Sequence, residues 1–334
     1  MEFWARRGLP AWLLLPLAGV FAAVVAMRRL AYRRGWLSRQ RLPVPVIVVG
    51  NISVGGTGKT PLLTMLAPAL RARGYRPGIV ARGYGGRSSH WPRAVLADSD
   101  PHEVGDEPVL LATLTGCPLS VGPDRVAAAR ALLAQHDCDL ILSDDGLQHY
   151  RLARDVEIIV IDARRRLGNR WPLPAGPLRE PPSRLQQADF IVINGGEAAD
   201  AWSMRLSGTR CIGLGSAEDC ELDALRGRTV HAVAGIGDPE RFFSALEAAG
   251  LTIERHAFPD HHAYTPADVD FGAAASVLMT GKDAVKCRHF RLPGAVRWLA
   301  VEAELQAGFV EALCARLPAP AMRDRFPNEE STWT

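Results

Sequence analysis

Residues 50–61, which read GNISVGGTGKTP, carry the clearest chemical signal in the chain. A short apolar run at 43–49 leads into glycines, then a lysine and a threonine, and residues 61–73 have helical spacing. Glycines let successive backbone N–H groups point at a phosphate, and the start of the following helix adds positive potential. We expect Lys59 to reach the β- and γ-phosphates of ATP and the Thr60 hydroxyl to bind Mg²⁺. The segment therefore predicts a phosphate-binding loop (P-loop).

This loop departs from the usual pattern G-x-x-x-x-G-K-[ST] because Ser53 stands where the first glycine is expected. Extra glycines further along are expected to supply the missing flexibility. The residues expected to surround the ATP phosphates are Ser53, Val54, Gly55, Gly56, Thr57, Gly58, Lys59 and Thr60.

A carboxylate that holds Mg²⁺ beside the P-loop is predicted within residues 140–148, LILSDDGLQ. An apolar strand ends there in Asp144 and Asp145, an arrangement similar to a Walker B strand. Either carboxylate can serve as the metal ligand, and a polar turn is the alternative interpretation. Gln148 and His149 follow on the same loop and are expected to contact the acceptor substrate.

Four other segments carry polar groups that suit a ligand site. VGDEPV at 104–109 places two acidic residues before an apolar stretch, where helix capping is the alternative. RGYGG and PAGPLRE each carry one arginine, which can bind phosphate oxygens. DHH at 260–262 follows a proline; His256 lies nearby, but no cysteine or carboxylate spacing indicates zinc. Lysine occurs only at 59, 282 and 286, which suggests that a compact ammonium is needed at each.

The elements that must position these residues alternate between strands and helices. Short apolar strands are predicted at 43–49, 79–81, 119–121, 140–143, 156–161 and 190–193, with a helix at 124–136. Such alternation indicates a doubly wound, mostly parallel sheet of the P-loop NTPase type, which binds ligands at the carboxyl ends of its strands. A second series of strands and helices begins near residue 229. We expect a P-loop domain in 41–225 and a smaller α/β domain in 226–334.

The N-terminal 40 residues are expected to form a membrane anchor and a basic juxtamembrane segment. Residues 9–27 carry no charge, and arginines flank them on both sides, with the heavier cluster after them. Nineteen apolar residues can just span a hydrocarbon core, and the arginine bias predicts a cytoplasmic body. A helix lying in one leaflet, a cleaved signal peptide and a buried helix of a soluble fold are the alternatives.

Composition narrows the function classes further. The chain has 334 residues, 48% hydrophobic and 22% charged, which is typical of a folded enzyme. A formal net charge of +3 is too small to indicate nucleic acid as a partner. Six scattered cysteines without a C-x-x-C pair predict reduced thiols in the cytosol rather than a disulfide framework.

Taken together and in order, these motifs resemble the tetraacyldisaccharide 4′-kinase family of lipid A biosynthesis. The segments that carry the resemblance are the apolar N-terminus, GNISVGGTGKTP, RGYGG, GDEP, SDDGLQH, GNRWPLPAGPLRE, FPDHHAYT and TGKDAVK. The resemblance implies two α/β domains and an ATP- and Mg²⁺-dependent kinase at the cytoplasmic face of the bacterial inner membrane. It implies that the acceptor is the 4′-hydroxyl of an acylated disaccharide 1-phosphate and that the product is lipid IVA.

By the same resemblance, Asp106 is the catalytic aspartate and His261 its partner in a dyad. Arg179 corresponds to a basic position near the phosphates, and Asp145 to an acidic position associated with Mg²⁺ and ATP. We further expect Tyr84 and Glu107, which lie in the matching loops, to contact the acceptor substrate. Because Asp106 and His261 fall in different predicted domains, closure of the two domains is expected to assemble the pair.

Two other function classes use some of the same features. A membrane-associated P-loop ATPase acting as a nucleotide switch needs the P-loop and the acidic strand, but no Asp–His pair and no lipid acceptor. A soluble small-molecule kinase needs no membrane anchor. Transfer of phosphate to a lipid distinguishes the predicted kinase from the switch.

Overall fold

Two β-sheets organise the chain in the computed structural model, which describes residues 2–320. The strands, in chain order, are β1 Val46–Gly50, β2 Pro77–Ala81, β3 Arg93–Val95, β4 Leu119–Val121, β5 Leu140–Asp144, β6 Val156–Asp162, β7 Phe190–Asn194, β8 Trp202–Ser207, β9 Arg210–Gly213, β10 Cys220–Glu221, β11 Thr229–Ala234, β12 Thr252–Ala257, β13 Ser276–Thr280, β14 Ala295–Leu299 and β15 Glu302–Leu305.

The helices lie between these strands and at the N-terminus. They are α1 Leu9–Leu13, α2 Leu15–Arg33, α3 Lys59–Arg71, α4 Pro101–Val104, α5 Asp106–Thr115, α6 Arg125–Gln135, α7 Pro239–Ala248, α8 Pro266–Val269, α9 Gly281–Cys287 and α10 Phe309–Cys314. Short 3-10 helices cover Glu2–Ala5, Pro182–Gln187 and Leu222–Leu225.

The larger sheet has nine strands in the order β15-β8-β7-β6-β1-β5-β2-β4-β3. The strands from β8 to β4 run parallel, and an antiparallel strand closes each edge. Every residue of β1, β2 and β5 is buried, as expected where helices cover both faces of a parallel sheet. The P-loop leaves the carboxyl end of β1, which lies between β5 and β6 near the middle of the sheet.

The smaller sheet has six strands in the order β10-β9-β14-β13-β11-β12. Four of them, from β14 to β12, are parallel, and β9 and β10 extend the sheet in antiparallel fashion. Helix α7 covers one face, where Phe242, Phe243 and Leu246 pack against the buried side of β11. The expected fold class, a doubly wound P-loop sheet with a second α/β unit, is therefore observed.

Sheet membership divides the chain at different residues from the expected boundary at 226. Strands β9 and β10 precede that boundary but belong to the smaller sheet, and β15 with α10 follows it but returns to the larger sheet. The last helix, α10, begins only at Phe309, because Leu305 ends β15 and Gly308 adopts a φ of 86°. Short edge strands carry too weak an apolar pattern to reveal which sheet they join. Residues 321–334 of the expected second domain lie outside the described part of the chain.

The two sheets share one hydrophobic core. Val109 and Leu111 of α5 belong to the same buried cluster as Val277 and Met279 of β13. Helices α5 and α9 pack closely, and a Cβ on Gly281 would approach Leu110 to 3.2 Å. This packing fixes the start of α5 against the smaller sheet.

Helix α2 lies along the body of the protein and presents an apolar stripe to the outside. Ala18 is buried on its inner face, and Tyr32 contacts Tyr150 with ring centroids 5.8 Å apart. The outer stripe, at a spacing of three to four residues and more than half exposed throughout, consists of Leu17, Val20, Val24 and Met27 of α2, preceded by Leu13 at the end of α1. Helix α2 is long and apolar enough to cross a membrane, although such a helix near an N-terminus is weak evidence for a span.

Candidate active site

The P-loop is held in place by side-chain amides on both sides. Asn51 Nδ2 donates to the carbonyl of Gly55 at 3.1 Å, and Asn194 Nδ2 at the end of β7 donates to the carbonyl of Thr57 at 3.0 Å. Helix α3 begins at Lys59, so its first N–H groups have no partner within the helix and can receive a phosphate. The loop thus presents backbone donors and the Lys59 ammonium at the carboxyl edge of the sheet.

Two glycines of this loop adopt a backbone conformation that other residues rarely adopt. Gly55 has a φ of 103° and Gly58 a φ of 98°. A Cβ on Gly58 would lie 2.7 Å from Asn194 Nδ2, whereas a Cβ on Gly56 would meet no atom of the described residues within 4 Å. Ser53 pairs with Leu178 in an isolated antiparallel bridge, so the segment bearing Arg179 braces the first half of the loop.

Asp145 pairs with the basic residues of the phosphate site. Its carboxylate accepts from Arg179 Nη1 at 2.9 Å and lies 3.6 Å from Lys59 Nζ. Burial alone would raise the pKa of Asp145, but Lys59 and Arg179 outweigh burial and lower that pKa below its ordinary value. Its φ of 46° is uncommon outside glycine, and such conformations cluster at functional sites.

Asp144 differs sharply from its neighbour. The residue is 4% exposed, and its Oδ1 has no hydrogen-bond partner within the described chain. Burial, followed by the negative charge of Glu107, raises the pKa of Asp144 to about 7. An all-oxygen set comprising Asp144, Asp145 and the Thr60 hydroxyl suits Mg²⁺, and a divalent cation would offset the uncompensated charge at Asp144. The residues present therefore fit this metal.

The Asp106–His261 pair lies across the junction of the two sheets. Asp106 is the first residue of α5, and its Oδ2 accepts from His261 Nδ1 at 3.0 Å. Asp106 is 5% exposed, while the His261 side chain is 29% exposed. The histidine lies in the loop after β12 with a φ of 59°, and the ring of Tyr84 lies 5.3 Å from its own. The pair is already formed, so no further closure is needed to bring the two side chains together.

The remaining lysines of the chain converge on the same corner. Lys282 of α9 forms an ion pair with Glu107, and Lys286 Nζ lies 4.0 Å from Asp106 Oδ2. Burial opposes ionisation of Asp106, but the hydrogen bond from His261 and the charge of Lys282 lower its pKa. The same hydrogen bond raises the pKa of His261 against the effect of burial. All three lysines of the chain thus lie in one site.

Gln148 and His149 lie behind the P-loop rather than beside the Asp–His pair. Gln148 Nε2 donates to the Asn51 carbonyl at 3.0 Å and to Glu180 Oε1 at 3.1 Å. His149 Nε2 accepts from the backbone N–H of Arg125 at 3.4 Å, and burial lowers its pKa to about 4. Contact of these two residues with substrate stays a prediction, as it does for Tyr84 and Glu107.

Sequence reasoning missed two features of the site. Arg125, at the start of α6, is 3% exposed; burial lowers its pKa to about 10 against the attraction of Asp144 and Asp145. A cavity of about 590 Å³ opens beside the P-loop at the ends of β7 and β8, where Asn194 and Arg241 line it. Arg125 gave no motif because a buried arginine looks like any other arginine in a helix. The cavity combines residues at the ends of β7 and β8 with Arg241 of α7, a combination that no local sequence pattern reveals.

The fold and the site together define a P-loop nucleotide-binding phosphotransferase. A P-loop runs from a central parallel strand into a helix, an acidic strand end lies beside it, and an Asp–His pair completes the edge. The chain belongs to the tetraacyldisaccharide-1-P 4′-kinase family, whose sequence profile matches residues 10–318. The family expected from the motifs is confirmed.

Individual relatives agree over nearly the whole chain. The tetraacyldisaccharide 4′-kinase of Alkalilimnicola ehrlichii is 53% identical over 97% of this chain and 94% of that protein. The one from Azoarcus sp. is 52% identical over 95% of this chain and 94% of that protein. Among solved structures, LpxK from Aquifex aeolicus in complex with ATP has a TM-score of 0.79 at 28% identity, covering 93% of this chain and all of that one.

Proposed function

We propose that this protein transfers the γ-phosphate of ATP to the 4′-hydroxyl of a tetraacyldisaccharide 1-phosphate, giving lipid IVA. The observation that carries the proposal is the Asp106–His261 pair next to the P-loop. Glu107, the neighbour of Asp106, is close enough for its charge to raise the pKa of Asp144. A nucleotide switch needs a P-loop and an acidic strand, but it does not need a proton-accepting pair beside its P-loop.

The P-loop and its flanking cations would hold the ATP phosphates. Backbone donors of residues 53–60, together with Lys59 and Arg179, suit the β- and γ-phosphates, and buried Arg125 faces the same acidic edge. The cavity of about 590 Å³ borders Asn194, which bonds to the P-loop carbonyl of Thr57, and has room for the nucleoside part of ATP.

Thr60 and Asp144 would hold Mg²⁺, with Asp145 beside them. Asp144 is the better ligand of the two carboxylates because Asp145 is already paired with Lys59 and Arg179. Bound there, Mg²⁺ would supply positive charge that offsets the negative charge of the phosphates.

Asp106 would act as the base for the acceptor hydroxyl. The hydroxyl oxygen bonds to the γ-phosphorus, the bond from that phosphorus to the β–γ bridging oxygen breaks, and the hydroxyl proton passes to Asp106. His261 orients the carboxylate through its Nδ1–H, and the positive charge of Lys282 helps to keep it ionised. A positioned base contributes roughly 10²–10⁴-fold in rate. Tyr84 and Glu107 border the pair and are the side chains best placed to contact the sugar.

The N-terminal helices would bring the enzyme to its lipid substrate at the cytoplasmic face of the inner membrane. The apolar stripe of α2 faces outward, while Arg29 on the same helix lies 3.9 Å from Glu180 in the body. This two-sided packing favours a helix that lies within one leaflet over an isolated span. A four-chain lipid leaves a bilayer at a cost of roughly 0.8 kcal/mol per exposed CH₂, so the enzyme must work at the surface.

A phosphotransfer assay tests the proposal. The full chain, Mg²⁺ and γ-labelled ATP are mixed with tetraacyldisaccharide 1-phosphate in detergent micelles, and Lys59→Ala is run alongside. Glu302→Gln, at an exposed position of β15, is the matched control. We expect label on the lipid with the wild type and the control, and none with Lys59→Ala. Label released only as free phosphate, at a rate indifferent to lipid, would favour the nucleotide switch.

A further inference from the structure

A second cluster of metal-ligating side chains lies on the smaller sheet, away from the P-loop. His231 of β11 is the register partner of Glu254 on the edge strand β12, and His256 lies two residues further along β12. Residues two apart on a strand share a face, so all three side chains meet on one side of the sheet. The pairing of β11 with β12 thus brings His231 next to two side chains that lie more than 20 positions further along the chain.

The spacing of the ligand atoms matches that of a small tetrahedral site. His231 Nδ1 lies 3.2 Å from His256 Nε2 and 3.2 Å from Glu254 Oε2, and all three atoms lie within 4.8 Å of one another. Zinc–nitrogen bonds of about 2.0–2.1 Å at tetrahedral angles separate neighbouring ligand atoms by about 3.3 Å. The Glu254 side chain is 59% exposed and can turn toward a metal, whereas His231 is only 19% exposed.

An aromatic side chain fixes the orientation of both imidazoles. The Phe271 ring stacks on His231 at 4.3 Å with an interplanar angle of 1°, and it lies 4.3 Å from His256. A metal binds an imidazole nitrogen in the plane of the ring, so stacking on the face leaves this position accessible.

We propose that His231, Glu254 and His256 form a binding site for a zinc-class transition-metal ion, with water as the fourth ligand. Two imidazoles and one carboxylate suit Zn²⁺, Cu²⁺ or Ni²⁺ and not Mg²⁺, which prefers oxygen ligands. The site is therefore chemically distinct from the Mg²⁺ site of the P-loop.

The position of this site gives the metal a structural consequence. It would tie the edge strand β12 to β11, which is the single neighbouring strand of β12 within residues 2–320. The loop that carries His261 begins directly after β12, and His261 itself lies five residues beyond His256. Metal binding would therefore stabilise the strand from which this loop departs.

Zinc binding by the full chain in detergent tests the proposal. The protein is stripped of metal with a chelator, kept in millimolar Mg²⁺ to occupy the P-loop site, and equilibrated with Zn²⁺ alone. We expect one Zn²⁺ per chain by elemental analysis after dialysis, and a rise in the unfolding temperature with Zn²⁺. Co²⁺ should give the intense visible absorption of a tetrahedral complex.

Variants locate the bound ion. His231→Ala and His256→Ala should each weaken Zn²⁺ binding by about tenfold or more. Glu254→Gln should also weaken Zn²⁺ binding, and because Glu254 is exposed this substitution does not threaten folding. His90→Ala, at an exposed histidine remote from the site, is the matched control and should bind Zn²⁺ as the wild type does. Zinc bound with unchanged stoichiometry and affinity by the Glu254→Gln and His256→Ala variants would overturn the proposal, as would wild-type protein that binds none.

Discussion

Replacing Asp144 with asparagine should stabilise the ligand-free protein while removing its response to Mg·ATP. The ionised carboxylate is buried with an unpartnered oxygen, and its pKa is raised from 3.8 to about 7. A shift of about three units corresponds to roughly 4 kcal/mol against the charged form. Above about pH 7, ionised Asp144 therefore destabilises the ligand-free protein, and a neutral side chain of the same shape does not.

The sign of the pH dependence follows from the raised pKa. The folded protein holds the Asp144 proton up to about pH 7, whereas the unfolded chain releases it near pH 4. The stability that this proton provides is complete below pH 4 and is lost as the pH rises to about 7 and beyond. Asp144→Asn should thus gain up to about 4 kcal/mol over the wild type at pH 8, and little at pH 4.

Urea unfolding of metal-free protein at several pH values measures this difference, and repeating it with Mg·ATP measures ligand stabilisation. Asp145→Asn is the matched control and should lower the free energy of unfolding, because Lys59 and Arg179 lower the pKa of Asp145 and its charged form stabilises the fold. If Asp144→Asn is no more stable than the wild type at pH 8 without ligand, the carboxylate is not uncompensated. If it keeps the full Mg·ATP stabilisation, Asp144 is not the metal ligand.

Three further predictions concern the pair and the loop. Asp106→Asn should lower turnover by roughly 10²–10⁴-fold while ATP affinity stays nearly unchanged; an equal loss of nucleotide binding in a direct titration would mark Asp106 as a metal ligand instead. In the same variant, NMR should show a lower pKa for His261 than in the wild type, where the hydrogen bond to the Asp106 carboxylate raises that pKa. The contribution of protonated His261 to the free energy of unfolding is complete below about pH 6.5 and is lost as the pH rises through the pKa of His261 in the folded protein. Gly58→Ala should weaken ATP binding at least tenfold by equilibrium dialysis because of its positive φ and the contact with Asn194, whereas Gly56→Ala should bind normally; equal binding by both variants would contradict the loop geometry.

The parts of this molecule that local chemistry determines could be predicted from its sequence. The strand β1, the glycines and Lys59 form one continuous segment, and Asp144 closes a strand whose apolar residues are contiguous. Such segments reveal their structure because neighbouring residues in the chain are also neighbours in space. The predicted larger sheet and the position of the P-loop within it followed from that alone.

The parts of the molecule that depend on contacts between distant residues could not be predicted from the sequence. Asp106 and His261 are 155 positions apart, and only the resemblance to a family pointed to their pairing. In the sequence, His256 lies near the histidines at 261 and 262, whereas the proposed zinc-class site joins it to Glu254 and to His231, which belongs to another strand. Arg125 gained its importance from burial against two carboxylates, which is a property of the folded chain.

The return of the chain to the larger sheet has a consequence for biosynthesis. Strand β15 pairs with β8 at the edge of the larger sheet, and Phe309 of α10 packs against Phe190 and Trp202. The nascent chain emerges from the ribosome N-terminus first, so this sheet lacks its last strand until residue 305 has been translated. The apolar N-terminal helices are synthesised long before that point. Early engagement of the bilayer by these helices would shield them from aggregation while the rest of the enzyme folds.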